Sequence, residues 1–139
     1  MGEITTFGDR HAWQVGMDTV ALTYELTADF PIEERYGLTS RMRRASLSIP
    51  SNVAEGQGVG QPRWSLRHVR TAIGSSLELE AQLEAAIRLS FVSRERARKR
   101  ADTIDRAQKL LYGMRRDKLR RIGALAGASV LLLSLAHLV

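Results

Sequence analysis

Residues 38–60 read LTSRMRRASLSIPSNVAEGQGVG, and their spacing decides the fold. Leu38, Met42, Ala45, Ile49, Val53 and Gly56 recur at three- and four-residue steps, the period of one helix face. A polar stripe runs beside it through Arg41, Arg44, Ser48, Asn52 and Glu55. Pro50 falls inside the pattern. Its ring should collide with the carbonyl of Ser46 and kink the helix one turn earlier. Gly56, Gly58 and Gly60 should then break the helix.

The same period continues on both sides. Trp13, Met17, Val20, Tyr24 and Ala28 predict an earlier helix, with Asp9 as its N-cap and Phe30-Pro31 as its stop. A short turn through Glu33, Glu34, Tyr36 and Gly37 leads into residue 38. Downstream, Pro62 suits a first helical turn, and Leu66, Val69, Ile73, Leu77, Leu83 and Ile87 line one side. Ser93 should cap a fourth helix whose inner face reads Ala97, Ala101, Ile104, Ala107 or Gln108, Leu111 and Met114. No segment alternates with period two. The expectation is an all-α, antiparallel up-down four-helix bundle over residues 10–121, behind an arm at 1–9 and ahead of an apolar C-terminal helical extension at 122–139.

At 139 residues the chain is one domain's worth, with 44% apolar and 26% charged residues, an ordinary globular composition. It has no cysteine, and His11, His68 and His137 are scattered, so no thiolate nucleophile, metal site or cofactor is expected. A di-iron bundle would need Glu-x-x-His pairs, and none exists. Gly56–Gln61 reads GQGVGQ: its last position is not glycine and a helix precedes it, so it is an interhelical turn and no dinucleotide loop. Met1–Thr6 fits the myristoylation pattern by chance, and no apolar run follows the start as in a signal peptide. No enzyme is expected.

Charge is distributed in blocks. The net of +6 is the sum of −5 over residues 1–40, +5 over 41–70, −2 over 71–93, +8 over 94–121 and zero thereafter. A polyanionic partner suits that bias. Arg41, Arg43, Arg44, Arg63, Arg67 and Arg70 are the candidate phosphate contacts, because guanidinium forks match phosphate oxygens. Both clusters could share one end or face of the bundle, with Trp64 as either a stacking surface or a core residue. The competing reading makes the stripe Arg41, Arg44, Ser48, Asn52 and Glu55 a solvated bundle edge or an interhelical hydrogen-bond network that fixes register.

Ile122–Val139, IGALAGASVLLLSLAHLV, is apolar around its circumference and follows RRDKLRR, which holds five cations. Its length of about 27 Å falls just short of a hydrocarbon core. Gly123 and Gly127 form a GxxxG spacing that lets helices approach in lipid. The tail is therefore a candidate transmembrane anchor that would tether a cytoplasmic bundle to the inner membrane, the alternative being an extended fourth helix or a fifth helix buried in an oligomer interface.

The stretches FPIEERYGL (30–38), RRASLSIPSNVAEGQG (43–58) and AIGSSLELE (72–80) resemble the signatures of a bacterial four-helix-bundle family, the proteins encoded in intervening sequences of 23S rRNA genes. That family is similar in turn to the accessory variability proteins of diversity-generating retroelements. The resemblance covers roughly residues 10–121. Its matching positions are Tyr36, Gly37, Leu38, Arg43, Arg44, Ser48, Ile49, Asn52, Ala54, Glu55, Gly56, Gly74, Ser75, Glu78 and Leu79, read as structural: a turn, a packing seam and a bundle-end network. It implies a homo-oligomer, a pentamer, with a basic surface that meets RNA or DNA and a protein partner such as a reverse transcriptase. Trp64–Arg70 departs from the pattern in being more basic, and typical members lack the tail.

Overall fold

The computed structural model describes residues 7–136. Among the described residues there are four helices, α1 (Phe7–Thr27), α2 (Leu38–Gly58), α3 (Pro62–Arg88) and α4 (Arg94–Ala136), with a 3-10 turn at Ile32–Glu34 between the first two. Each helix packs on two neighbours around a square, α1 on α2 and α4, α3 on α2 and α4, and the diagonal pairs do not meet. Neighbours are antiparallel: Gly16 faces Pro50 while Thr27 meets Arg43, and Ser48 meets Ser75 while Asn52 meets His68. The all-α, up-down four-helix bundle expected from the periodicity is the fold.

The core joins Leu26 and Phe30 to Met42, Ile49 and Val53 of α2, Val69, Ile73, Leu79 and Leu83 of α3, and Ile104, Leu111 and Met114 of α4. The apolar face anticipated for α2 is the buried one. That of α1 is not: Met17, Tyr24 and Ala28 are exposed. The helix turns inward Ala12, Val15, Thr19, Thr23, Leu26 and Thr27 instead. Thr19, Thr23 and Thr27 each donate their hydroxyl to the carbonyl four residues back, at 2.7–2.8 Å. With the hydroxyl bonded inside its own helix, each threonine presents a methyl group to the core and is buried much as a valine would be. Leu77 and Ala101 are likewise exposed, and Ser76 and Arg100 take the inward positions beside them.

Several boundaries differ from expectation. Asp9 is a buried first-turn residue, not an N-cap, because α1 already begins at Phe7 inside the anticipated arm. α2 continues through Pro50 to Gly58, and Gly56 is a contact rather than a break: a Cβ there would lie 3.1 Å from Cβ of His68. Gly60 (φ +65°) makes the turn. Glu34 folds across Gly37, its Oε2 accepting the Leu38 N–H at 2.9 Å, where a Cβ on residue 37 would lie 2.6 Å from that oxygen. Ser93 caps α4, its Oγ accepting the Arg96 N–H at 3.2 Å.

At 43 residues α4 is about 64 Å long, and it outruns the bundle. From Gly123 to Leu133 every residue is exposed, Leu125 at 58% and Val130 to Leu133 at 63–68%. The extension is thus a continuation of α4, not a fifth helix. Met1–Thr6 and residues 137–139, with His137, lie outside the described residues.

Candidate functional site

The residues that carry the motif gather on the hairpin of α2 and α3. Antiparallel packing about a turn at Gly60 sets each α2 residue opposite its reflection in α3. Ser75 Oγ donates to Ser48 Oγ at 2.8 Å, and Asn52 Nδ2 donates to the Ser48 carbonyl at 2.9 Å. Asn52 Oδ1 lies 3.1 Å from His68 Nδ1, with Glu55 Oε2 3.4 Å from the same nitrogen. Both neighbours are acceptors, so Nδ1 carries the hydrogen. Ser48, Asn52 and Glu55 therefore form the register-fixing network between helices. His68, absent from the candidates, closes it; midway reflection of Asn52 across residue 60 would have located it.

Above this network Arg41 and Arg44, both exposed, line a shallow cleft of about 260 Å³ with Ser48, Ser75 and Glu78. Arg43 points elsewhere: its Nε donates to Thr27 Oγ1 at 2.9 Å, and its guanidinium stands 4.5 Å from the centre of the Tyr24 ring. It ties α2 to α1. Arg63, Arg67 and Arg70 are exposed on α3, with Arg67 5.7 Å from the ring centre of the half-exposed Trp64. The two arginine clusters do not share one end. The antiparallel turn sets Arg63 beside Gly60, roughly 28 Å along the helix axis from Arg41, so they form at most one elongated strip.

Part of the α4 charge is ion-paired. Arg94, Arg96, Arg100 and Lys109 each meet a carboxylate: Glu84, Asp29, Glu25 and Asp105 respectively. Arg88 and Arg94 converge on Glu84, and the Arg88 hydrogen bond, then that of Arg94, holds its carboxyl below the usual range. Among the described residues, Arg41, Arg44, Arg63, Arg67 and Arg70 pair with no acid.

Other motif positions do no packing within one copy. Tyr36 is 88% exposed with Arg35 over its ring, and a Cβ on Gly74 would meet open space. Tyr36 lies in the turn that leads into α2, as read, and neither residue touches a helix seam. Gly123 and Gly127 also face open space, so their GxxxG spacing contacts no helix here. Among the described residues no helix is long and apolar enough to cross a membrane. Among them also, no group of three or more His, Asp or Glu side chains is gathered to hold a metal.

The model of the 23S rRNA-intervening sequence protein family matches residues 8–113. The chain is similar to a crystal structure from Bacteroides thetaiotaomicron, described as a protein with unknown function from the S23 ribosomal protein family, with a TM-score of 0.73 at 18% identity. The alignment spans 79% of this chain and 99% of that one, and at this identity the likeness concerns the fold. No curated protein matches. The bundle, its α2–α3 motif seam and a family match over three-quarters of its length place the chain in the 23S rRNA-intervening sequence protein family.

Proposed function

We propose that the chain is a non-catalytic scaffold that holds nucleic acid, RNA foremost, along the α2–α3 hairpin, and that it works as a homo-oligomer beside a protein partner. One observation carries this reading: five exposed arginines, Arg41, Arg44, Arg63, Arg67 and Arg70, lie along one helical hairpin and pair with no acid among the described residues. Unpaired guanidinium groups along a strip favour a backbone of phosphates, and the half-exposed Trp64 offers a base a stacking surface. The exposed Tyr36 supports self-association, since it has no cover within one copy. Binding to single-stranded RNA should show a log–log salt slope of about −3.5, from roughly −0.7 per contacted phosphate over five contacts. Replacing Arg63, Arg67 and Arg70 with glutamine should cut that slope by about 2. An unchanged slope, or no binding by the parent at low salt, overturns the proposal.

A second reading, a tail-anchored membrane adaptor, draws on the exposed Leu125 and Val130–Leu133 behind a basic collar. It has to accommodate a described helix that is too short in apolar length to cross. Resistance of the full chain to carbonate extraction, lost on truncation after Arg121, would support it; a protein that partitions with the soluble fraction whether or not the tail is present would remove it.

A further inference from the structure

Where the α2–α3 turn meets α4, a pocket of about 260 Å³ is lined by Gly56, Gln57, Gly60, Ser65, Lys118 and Arg121 together with Gln61 and Pro62. Three features of it point the same way. First, it sits at the N-terminus of the 27-residue α3, where Gln61 gives no side-chain cap. Pro62 has no N–H, and helix geometry leaves those of Arg63 and Trp64 without an intrahelical acceptor. Second, Ser65 is 4% exposed and its Oγ is buried without a hydrogen-bond partner. A hydroxyl in that position costs stability unless something bonds to it. Third, Lys118 is only 9% exposed, and among the described residues it pairs with no acid. No carboxylate lines the pocket.

We infer that this pocket is a binding site for a phosphoryl group. The Ser65 hydroxyl and the Lys118 and Arg121 cations line one small volume beside the start of α3, an arrangement of donors and positive charge that suits a compact oxyanion. The site is distinct from the Arg41–Arg44 cleft. Lys118 and Arg121 lie outside the family match at 8–113, while the other lining residues lie within it. Two sources present the same chemistry: the terminal phosphate of a nucleic acid, or the phosphate headgroup of a lipid next to the exposed tail.

The test titrates the full chain with inorganic phosphate, following the ³¹P resonance against a chloride control of equal ionic strength. Lys118→Met keeps the apolar stem and should weaken binding about tenfold or more, the loss of one charge-assisted bond. Ser65→Ala should weaken it about threefold without lowering stability in the absence of phosphate, because its hydroxyl has no partner to lose. Arg106→Gln, an exposed cation of α4 outside both clefts, should bind as the parent does. Circular dichroism of each variant confirms the helices. No phosphate binding by the parent, or parent-like binding by both Lys118→Met and Ser65→Ala, overturns the site; an equal loss in Arg106→Gln reduces it to general charge attraction and overturns it too. Preference for a 5′-phosphorylated over a 5′-hydroxyl oligoribonucleotide assigns the phosphate to a nucleic-acid end. Retention on phosphatidic-acid vesicles but not on phosphatidylcholine assigns it to lipid, and either result sustains the site. Because the first probe is inorganic phosphate, binding survives a failure of the nucleic-acid reading, and the two failures are told apart.

Discussion

Three buried threonines on one helix make the same bond, yet replacing them with valine should have different effects. Thr19 and Thr23 donate to carbonyls of α1 and receive nothing from a side chain. Valine at either position loses one intrahelical hydrogen bond, worth about 1 kcal/mol, and gains a methyl group, worth about 0.8 kcal/mol in burial. Thr19→Val and Thr23→Val should therefore lie within about 0.5 kcal/mol of the parent, the difference between those two terms. Thr27 carries a second duty, because its hydroxyl also accepts the Arg43 Nε hydrogen at 2.9 Å. Thr27→Val strands one edge of a half-buried guanidinium. A hydrogen bond to a charged group contributes about 1.5–3 kcal/mol, and partial exposure of Arg43 lowers this to about 1–2 kcal/mol. For a chain of this size that is a fall in Tm of about 3–6 °C. Urea unfolding followed by helical circular dichroism measures all three variants, and pairing Thr27→Val with Arg43→Met in a double-mutant cycle isolates the coupling. If Thr27→Val is no worse than Thr23→Val, or the cycle shows no coupling, then Arg43 does not serve the fold and returns to the list of free cations.

Other expectations follow from single positions. Ser90 holds a left-handed φ of +60° where α3 ends, and the Phe91 N–H reaches back to the Ala86 carbonyl, so Ser90→Gly should stabilise by about 1 kcal/mol, read from the urea midpoint. A Cβ on Gly16 would sit 3.2 Å from Pro50, so Gly16→Val should cost roughly 1–3 kcal/mol by overpacking, again by urea midpoint. The lowered pKa of Glu84 adds stability that is present above its ordinary value of 4.5 and is lost as pH falls through the lowered one. Below pH 4.5 the parent should therefore lose stability more steeply than Glu84→Gln, and parallel curves would contradict the pairing with Arg88 and Arg94.

The apolar face of α2 was legible because all its inward positions except Thr39 and Ser46 are apolar or proline, although Leu47 faces outward. α1 defeated the same reading. Its inward threonines look polar in sequence, and only their bonds to carbonyls one turn back make them core residues. Arg100 escaped notice for a related reason: a charged residue reads as surface, but its guanidinium reaches Glu25 and the Arg96 carbonyl while the stem stays buried. The polar seam at Ser48, Asn52 and Glu55 could be seen as a stripe on one helix, whereas its partners Ser75 and His68 needed the register of the hairpin. Arg43 stood among phosphate contacts because three arginines in four residues look alike until the helix assigns each a direction. The pocket at Lys118 had no trace in sequence at all, since it joins a turn to a helix more than fifty residues further on.

The unbroken course of α4 has a mechanical consequence. The helix runs from Arg94 to Ala136, with the segment that lies between α1 and α3 and the segment that projects beyond them forming one rod. A pull on the projecting end acts along that axis and loads Met114, Leu111, Ile104 and Ala97 together, in shear, so these contacts must yield at once instead of one after another. Anything gripping the extension therefore holds the whole bundle stiffly, and a twist applied there turns the arginine hairpin with it, as a shaft turns its head.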